Sequence, residues 1–309
     1  MYKKLSVWIL LLAVVMPCAS ENFSQGEFVK QLKNLKSQMQ DLSKSSLPGS
    51  KYISTYDLKA LLRDRDPEVR KMAVKNSKTL IRNSSIYNLV LAIYQDERER
   101  LDIRIEAARA LSYVSGASRV LDKLTYAVRY KDYPASLKIM TYKALWNAAA
   151  FRSDTQKFLV WRLKYGEKTP EMKRAVIWSL FASSLNSRVY TALLDILNYG
   201  KDAKDVKIEC IKSLYKTVGN SKVKRVVLDI ARYGKDKEIR KTAIFALSGV
   251  NGDSRVKRFL ESLLKYSDDN EIKETALAAL VGDKFKINKF FHLSYKLEDG
   301  SFFNPIENE

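Results

Sequence analysis

Asp64-Arg-Asp-Pro-Glu-Val-Arg-Lys-Met-Ala-Val74 holds the pattern from which the fold can be read. Its core is an apolar residue, a cation, two variable positions and a small residue at the fifth place. The pattern returns at Ile103-Arg104, Leu137-Lys138, Met172-Lys173, Val206-Lys207, Ile239-Arg240 and Ile272-Lys273. From Val69 the intervals are 34, 34, 35, 34, 33 and 33 residues. The fifth place holds Ala73, Ala107, Thr141, Val176, Cys210, Ala243 and Ala276. The ninth holds Ser77 and then Leu111, Leu145, Leu180, Leu214, Leu247 and Leu280. Apolar residues at i, i+4, i+5 and i+8 mark one face of a helix.

A second helical pattern precedes several copies, as in Arg119-Val-Leu-Asp-Lys-Leu and Lys222-Val-Lys-Arg-Val-Val-Leu. Ser118, Ser187, Ser221 and Ser254 stand where a hydroxyl can cap it, and Gly116, Gly219 and Gly252 mark the turns before it. Two antiparallel helices per period predict an all-α fold, a right-handed α-solenoid of about seven helix pairs. An N-terminal helix and an irregular C-terminal cap should flank it.

Asp64–Val74 resembles the Asp-x-Asp-Pro-x-Val-Arg-x-x-Ala signature of HEAT repeats, including the HEAT-like form named after phycobilisome lyases. The resemblance covers roughly residues 52–282. It implies that the first helices lie on the convex side and that the second helices, which carry the cation, line the concave side. It also implies a ladder in which the repeated cations bond Asp66, Asp132, Asp202, Asp236 and Asp269 between the helices. Four of the seven cations are Lys, which pairs less readily in a bidentate way. About function the resemblance implies only a binding scaffold, because such arrays serve unrelated partners.

The chain has 309 residues with 55 Lys+Arg against 35 Asp+Glu, a formal charge of +20. Eleven Gly and six Pro suit long helices better than a turn-rich β fold. One His and two Cys leave no disulfide framework or zinc cluster, and no cofactor or catalytic motif is evident. Residues 1–20 read as a secretory signal, with Lys3 and Lys4 before an apolar run and Cys18-Ala19-Ser20 at its exit. The expected product is therefore exported, periplasmic or secreted. Lipid attachment at Cys18 is the alternative.

Residues 21–50 should form an amphipathic helix (Phe28, Leu32, Leu35, Met39, Leu42) and a linker. Residues 51–282 are the array, and 283–309 a cap that reads either as a helix or as a hairpin turning at Asp299-Gly300. His292, on the polar side of that segment, has no ligand-type neighbour in sequence. Cys210 falls at a core position, and Tyr130, Tyr165, Tyr199, Tyr233 and Tyr266 read as packing residues at helix ends.

A helical wheel places positions 2, 6 and 9 after each anchor opposite the core. Lys71, Lys75 and Lys78 occupy them in the first repeat. The middle repeats mix cations with rings: Ile139, Lys143 and Trp146; Arg174, Trp178 and Phe181; Ile208, Lys212 and Tyr215; then Lys241 and Phe245. Such a surface suits a recognition groove, unless the rings fill contacts between adjacent helices.

The expected function is a non-enzymatic scaffold that holds an acidic protein partner. The alternative is a polyanion such as lipopolysaccharide, anionic lipid or an acidic wall polymer. Export argues against nucleic acid. A lyase or glycosylase-type enzyme is the least favoured reading, and glycosylase chemistry lacks a carboxylate beside Trp146, Trp161 or Trp178, where Ala150, Tyr165 and Ala182 stand one turn on.

Overall fold

Each helix needs acceptors for its first free N–H groups, and in most pairs the sequence supplies them. Asp66 accepts from the Glu68 amide at 2.9 Å, and Pro67 follows at the first helical position. Asp236 and Asp269 each accept from two amides. On the first helices the caps are Asn83, Asn186, Asn220 and Asp253. Ser187, Ser221 and Ser254 thus sit one place inside the helix rather than at its cap. A planar carboxamide or carboxylate on the preceding residue already takes the amide each serine was expected to cap.

The computed structural model describes residues 53–282, with the short strands 295–296 and 302–303. The chain divides into two units, Met1–Ile53 and Ser54–Glu309. The expected signal, the N-terminal amphipathic helix, the linker and His292 lie outside the described residues.

Seven helix pairs follow in order. They are α1 (Thr55–Leu61) with α2 (Pro67–Asn76), and α3 (Ser84–Gln95) with α4 (Leu101–Leu111). Next, α5 (Ser118–Tyr130) packs with α6 (Ala135–Ala144), which α7 (Trp146–Phe151) prolongs. Then come α8 (Ser153–Trp161) with α9 (Pro170–Leu180), and α10 (Ser187–Tyr199) with α11 (Lys204–Leu214). The last two pairs are α12 (Ser221–Tyr233) with α13 (Lys237–Ala246), and α14 (Ser254–Tyr266) with α15 (Asn270–Val281). Gly282 closes α15 at φ 70°, a left-handed conformation that glycine adopts without a Cβ clash. Beyond it, Tyr295–Lys296 (β1) pairs antiparallel with Phe302–Phe303 (β2), so this segment contains a hairpin.

The repeat positions do what their spacing requires. All seven fifth-place residues are buried, and their small size lets the second helix lie close against its neighbours. Thr141 is the polar exception. Its hydroxyl donates to the Leu137 carbonyl at 2.7 Å and also meets the Tyr94 hydroxyl at 2.9 Å. Cys210 is fully buried, and burial pushes its thiol well above the ordinary range.

The expected cation ladder forms in part, at Lys138 with Asp132 and Lys173 with Asp202, and the other anchors take different partners. Arg70 grips Glu99 of the next repeat through two nitrogens, at 2.6 and 2.9 Å, and also donates to the Asp64 and Arg65 carbonyls. Arg104 and Arg240 donate instead to the Tyr94 and Ala231 carbonyls, at the ends of their own first helices. Lys173 pairs with Asp202, and Lys138 with Asp132 at 3.4 Å. Asp236 and Asp269 pair with Lys204 and Lys237 rather than with the anchor cations. The physical reason is reach. The forked guanidinium satisfies helix-end carbonyls that a lysine leaves open, and those carbonyls compete with the carboxylates.

The five helix-end tyrosines also depart from expectation. They are exposed, from 68% for Tyr130 to 83% for Tyr199, because the chain turns away directly after each ring.

Leu145, fully buried where α6 meets α7, should cost about 2–5 kcal/mol of stability when cut to Ala. The exposed Leu185 should tolerate the same change within about 0.5 kcal/mol. Urea unfolding of both variants measures the contrast.

Candidate functional site: the second-helix face

Consecutive second helices pack along their length, whereas consecutive first helices touch at fewer points. The array is therefore tighter on the second-helix side, which forms its inner face. Positions 2, 6 and 9 of each second helix point along this face.

In the first repeats the inner cations meet carboxylates of the neighbouring repeat, as Lys71 does with Asp102 at 2.7 Å. The same arrangement returns at Lys241 with Glu271, at 2.8 Å. Between these ends the chemistry changes. Arg174 is exposed and reaches Asp205 only at 3.5 Å. Ile139, Lys143, Trp146, Phe181, Ile208, Lys212 and Tyr215 are half-buried, while Trp178 and Phe245 are buried.

The rings thus serve two purposes. Trp178 fills the seam between α6 and α9, with the Lys143 ammonium 5.7 Å from its ring centroid. Phe181 receives Lys216 from the next repeat at 4.8 Å. Trp146, Phe181 and Tyr215 keep part of their rings at the surface, in successive repeats. The Trp146 indole N–H is buried with no acceptor among the described residues.

Beneath the rings lies Glu209, buried on α11 at the third place after its anchor. Burial raises its pKa, and the charges of Lys212, Arg174 and Lys143 oppose that rise. Burial also lowers Lys143 to about 8, against the attraction of Glu209 and with the repulsion of Arg174 and Arg109. Three cations from α6, α9 and α11 therefore surround one carboxylate in a partly desolvated setting. Among the described residues no group of His, Cys, Asp and Glu is arranged to hold a metal ion.

The wheel placed the three cations on one face, and the structure gathers them there. It did not single out Glu209, although a signal existed. The third place holds Met72, Met140, Ala175, Thr242 and Thr275 elsewhere, so a carboxylate there was conspicuous. Only Glu106 shares it, half-buried and 3.6 Å from Arg109.

Residues 190–281 match the family of HEAT repeats. No curated protein matches the chain in sequence. Among solved structures, the CpcE–CpcF complex of phycocyanin lyase from Nostoc sp. PCC7120 is similar at 15% identity and TM-score 0.45, covering 80% of this chain and 98% of the other. A chain from a structure concerned with the cadherin–beta-catenin interaction is similar at 16% identity and TM-score 0.35. That match covers 77% of this chain and 54% of the other. YibA of E. coli is similar at 16% identity and TM-score 0.37, covering 85% and 99%. Residues 190–281 therefore carry HEAT repeats, and the helix pairs of residues 55–281 form an all-α solenoid.

Lys143 gives the face a pH signature. Its folded pKa of about 8 lies below the ordinary 10.5, so between those values the unfolded chain holds more protons. Stability should therefore rise with pH across that window. Lys143→Met should flatten the rise, as melting temperatures measured between pH 8 and 10.5 would reveal.

Proposed function

We propose that this HEAT-repeat array is a non-catalytic scaffold that holds an acidic segment of a partner protein along its inner face, and that it works after export. The observation that carries the reading is the cluster of Lys143, Arg174 and Lys212 beside the half-exposed rings of Trp146, Phe181 and Tyr215. An extended acidic segment would lay its carboxylates against the cations and its apolar side chains against the rings. Such mixed aromatic and cationic patches supply both area and orientation.

Glu209 sharpens the specificity of this arrangement. It neutralises part of the local positive charge, so a single weak anion gains little. A segment with several carboxylates gains more, because three helices offer cations at separate points. The match of ligand to face is then a matter of spacing, and the helix packing sets that spacing. Helix α6 supplies Lys143, α9 supplies Arg174, and α11 supplies Lys212.

Export rests on residues 1–20, whose charged start, apolar run and small exit residues fit a signal. The mass of the mature N-terminus tests it. A chain beginning after Ser20 supports cleavage, a lipid-modified Cys18 supports anchoring, and an intact Met1 in the mature protein counts against export.

The binding reading is tested by charge reversal at Arg174 and Lys212, both away from the core. The doubly substituted Arg174→Glu, Lys212→Glu protein should lose binding to a fluorescent glutamate-rich peptide by about tenfold or more, while keeping its helical circular dichroism. Unchanged affinity in a folded variant would sink the reading.

A further inference from the structure

The outer side of the last two repeats has a different chemistry. Helices α12 and α14 carry Lys222, Lys224, Arg225, Arg232, Arg255, Lys257, Arg258 and Lys265, against only Asp229 and Glu261. First helices are splayed relative to second helices, and between these two a cleft of ≈ 510 Å³ opens. Arg232, Arg255, Arg258, Phe259 and Ser262 line it.

The geometry of this cleft is specific. The Arg232 guanidinium of α12 stands over the Phe259 ring of α14, 5.2 Å from its centroid. That contact bridges the two helices and holds one fork at the cleft wall. Arg258 extends back along its own helix, donating to the Ser254 carbonyl at 3.3 Å. Ser262 donates to the Phe259 carbonyl at 2.6 Å, leaving its oxygen lone pairs toward solvent. Arg255 begins the helix, its amide held by the Asp253 cap.

The nearby carboxylates are engaged elsewhere. Asp253 binds Lys224 at 2.6 Å, and Glu261 lies 4.0 Å from Lys257. Among the described residues, none of the three cleft guanidiniums pairs with a carboxylate.

Three unneutralised guanidiniums around one cleft repel each other, and a multivalent anion relieves that repulsion. A carboxylate offers two oxygens and one charge. A phosphate monoester offers three oxygens and nearly two charges, which suits three planar forks approaching from two helices. Phe259 adds an apolar wall for whatever carries the phosphate.

We propose that the cleft between α12 and α14 is a binding site for a phosphate monoester group, formed by Arg232, Arg255 and Arg258. It is independent of the inner-face scaffold, since the two sites lie on opposite sides of the helix pairs. The polyanion expected from the overall charge thereby acquires an address.

The test uses the full chain with two probes: inorganic phosphate by calorimetry, and phosphatidylcholine vesicles doped with phosphatidic acid by co-sedimentation. The variant Arg255→Gln, Arg258→Gln is compared with Lys222→Gln, Arg225→Gln, which removes the same charge from α12 alone. The cleft variant should bind about tenfold more weakly, and the control should change by less than about threefold. Binding of both probes identifies a free phosphate group as sufficient, whereas binding of vesicles alone identifies a lipid headgroup. Equal losses in the two variants would overturn the proposal in favour of diffuse attraction, and so would failure of both probes to bind the wild-type chain.

Discussion

The structure depends on the small buried residue at the fifth place of every second helix. Ala73, Ala107, Ala243 and Ala276 let a neighbouring helix approach closely, and Thr141, Val176 and Cys210 fill the same place in the middle repeats. A single helix pair cannot bury its own apolar face, so each repeat is completed only by the next. Close approach on this side, with looser contact between first helices, sets the curvature. It also brings cations of three successive second helices near one buried carboxylate, Glu209. The inner cation cluster is thus a product of packing as much as of composition.

The same packing explains why the rings divide between core and surface. A wheel treats each helix alone and puts Trp178 and Phe245 opposite its core. In the array, the helix beside them covers that direction, and both rings become lateral filling. Trp146, Phe181 and Tyr215 lie at or beyond the helix ends and stay half-exposed. Lateral burial is a property of neighbouring repeats and leaves no mark in the periodicity of one helix. Exposure at the helix-end tyrosines is the converse case, since a regular position looked like packing but points past the last turn.

The period, the number of helix pairs and the buried face were legible because they depend on local spacing repeated seven times. The partners of the repeated cations were less so. Asp66, Asp236 and Asp269 stand at the expected places, yet cap helix N-termini. The last two pair with lysines one repeat upstream. A carboxylate near a helix start can serve either end of a neighbouring chain, and sequence distance does not choose between them. Glu209 was legible in principle, as an acid at a place that is apolar or small in every other repeat except that of Glu106. It became meaningful only when α6 and α9 brought Lys143 and Arg174 toward it.

Curvature also separates the charges by kind. On the inner side, close helices let cations find carboxylates across the repeat boundary, as at Lys71 with Asp102 and Lys241 with Glu271. In the middle the pattern differs, since one buried acid faces three cations. On the outer side, splaying lengthens the gaps that a side chain must cross. Lys224 still reaches Asp253, but Arg232 crosses to a ring instead of a carboxylate. A cation that meets an aromatic face keeps its full charge available to solvent, unlike one neutralised in an ion pair. Part of the basic excess therefore falls on two surfaces: an inner one tuned by a buried acid, and an outer one left open by the splay of α12 from α14.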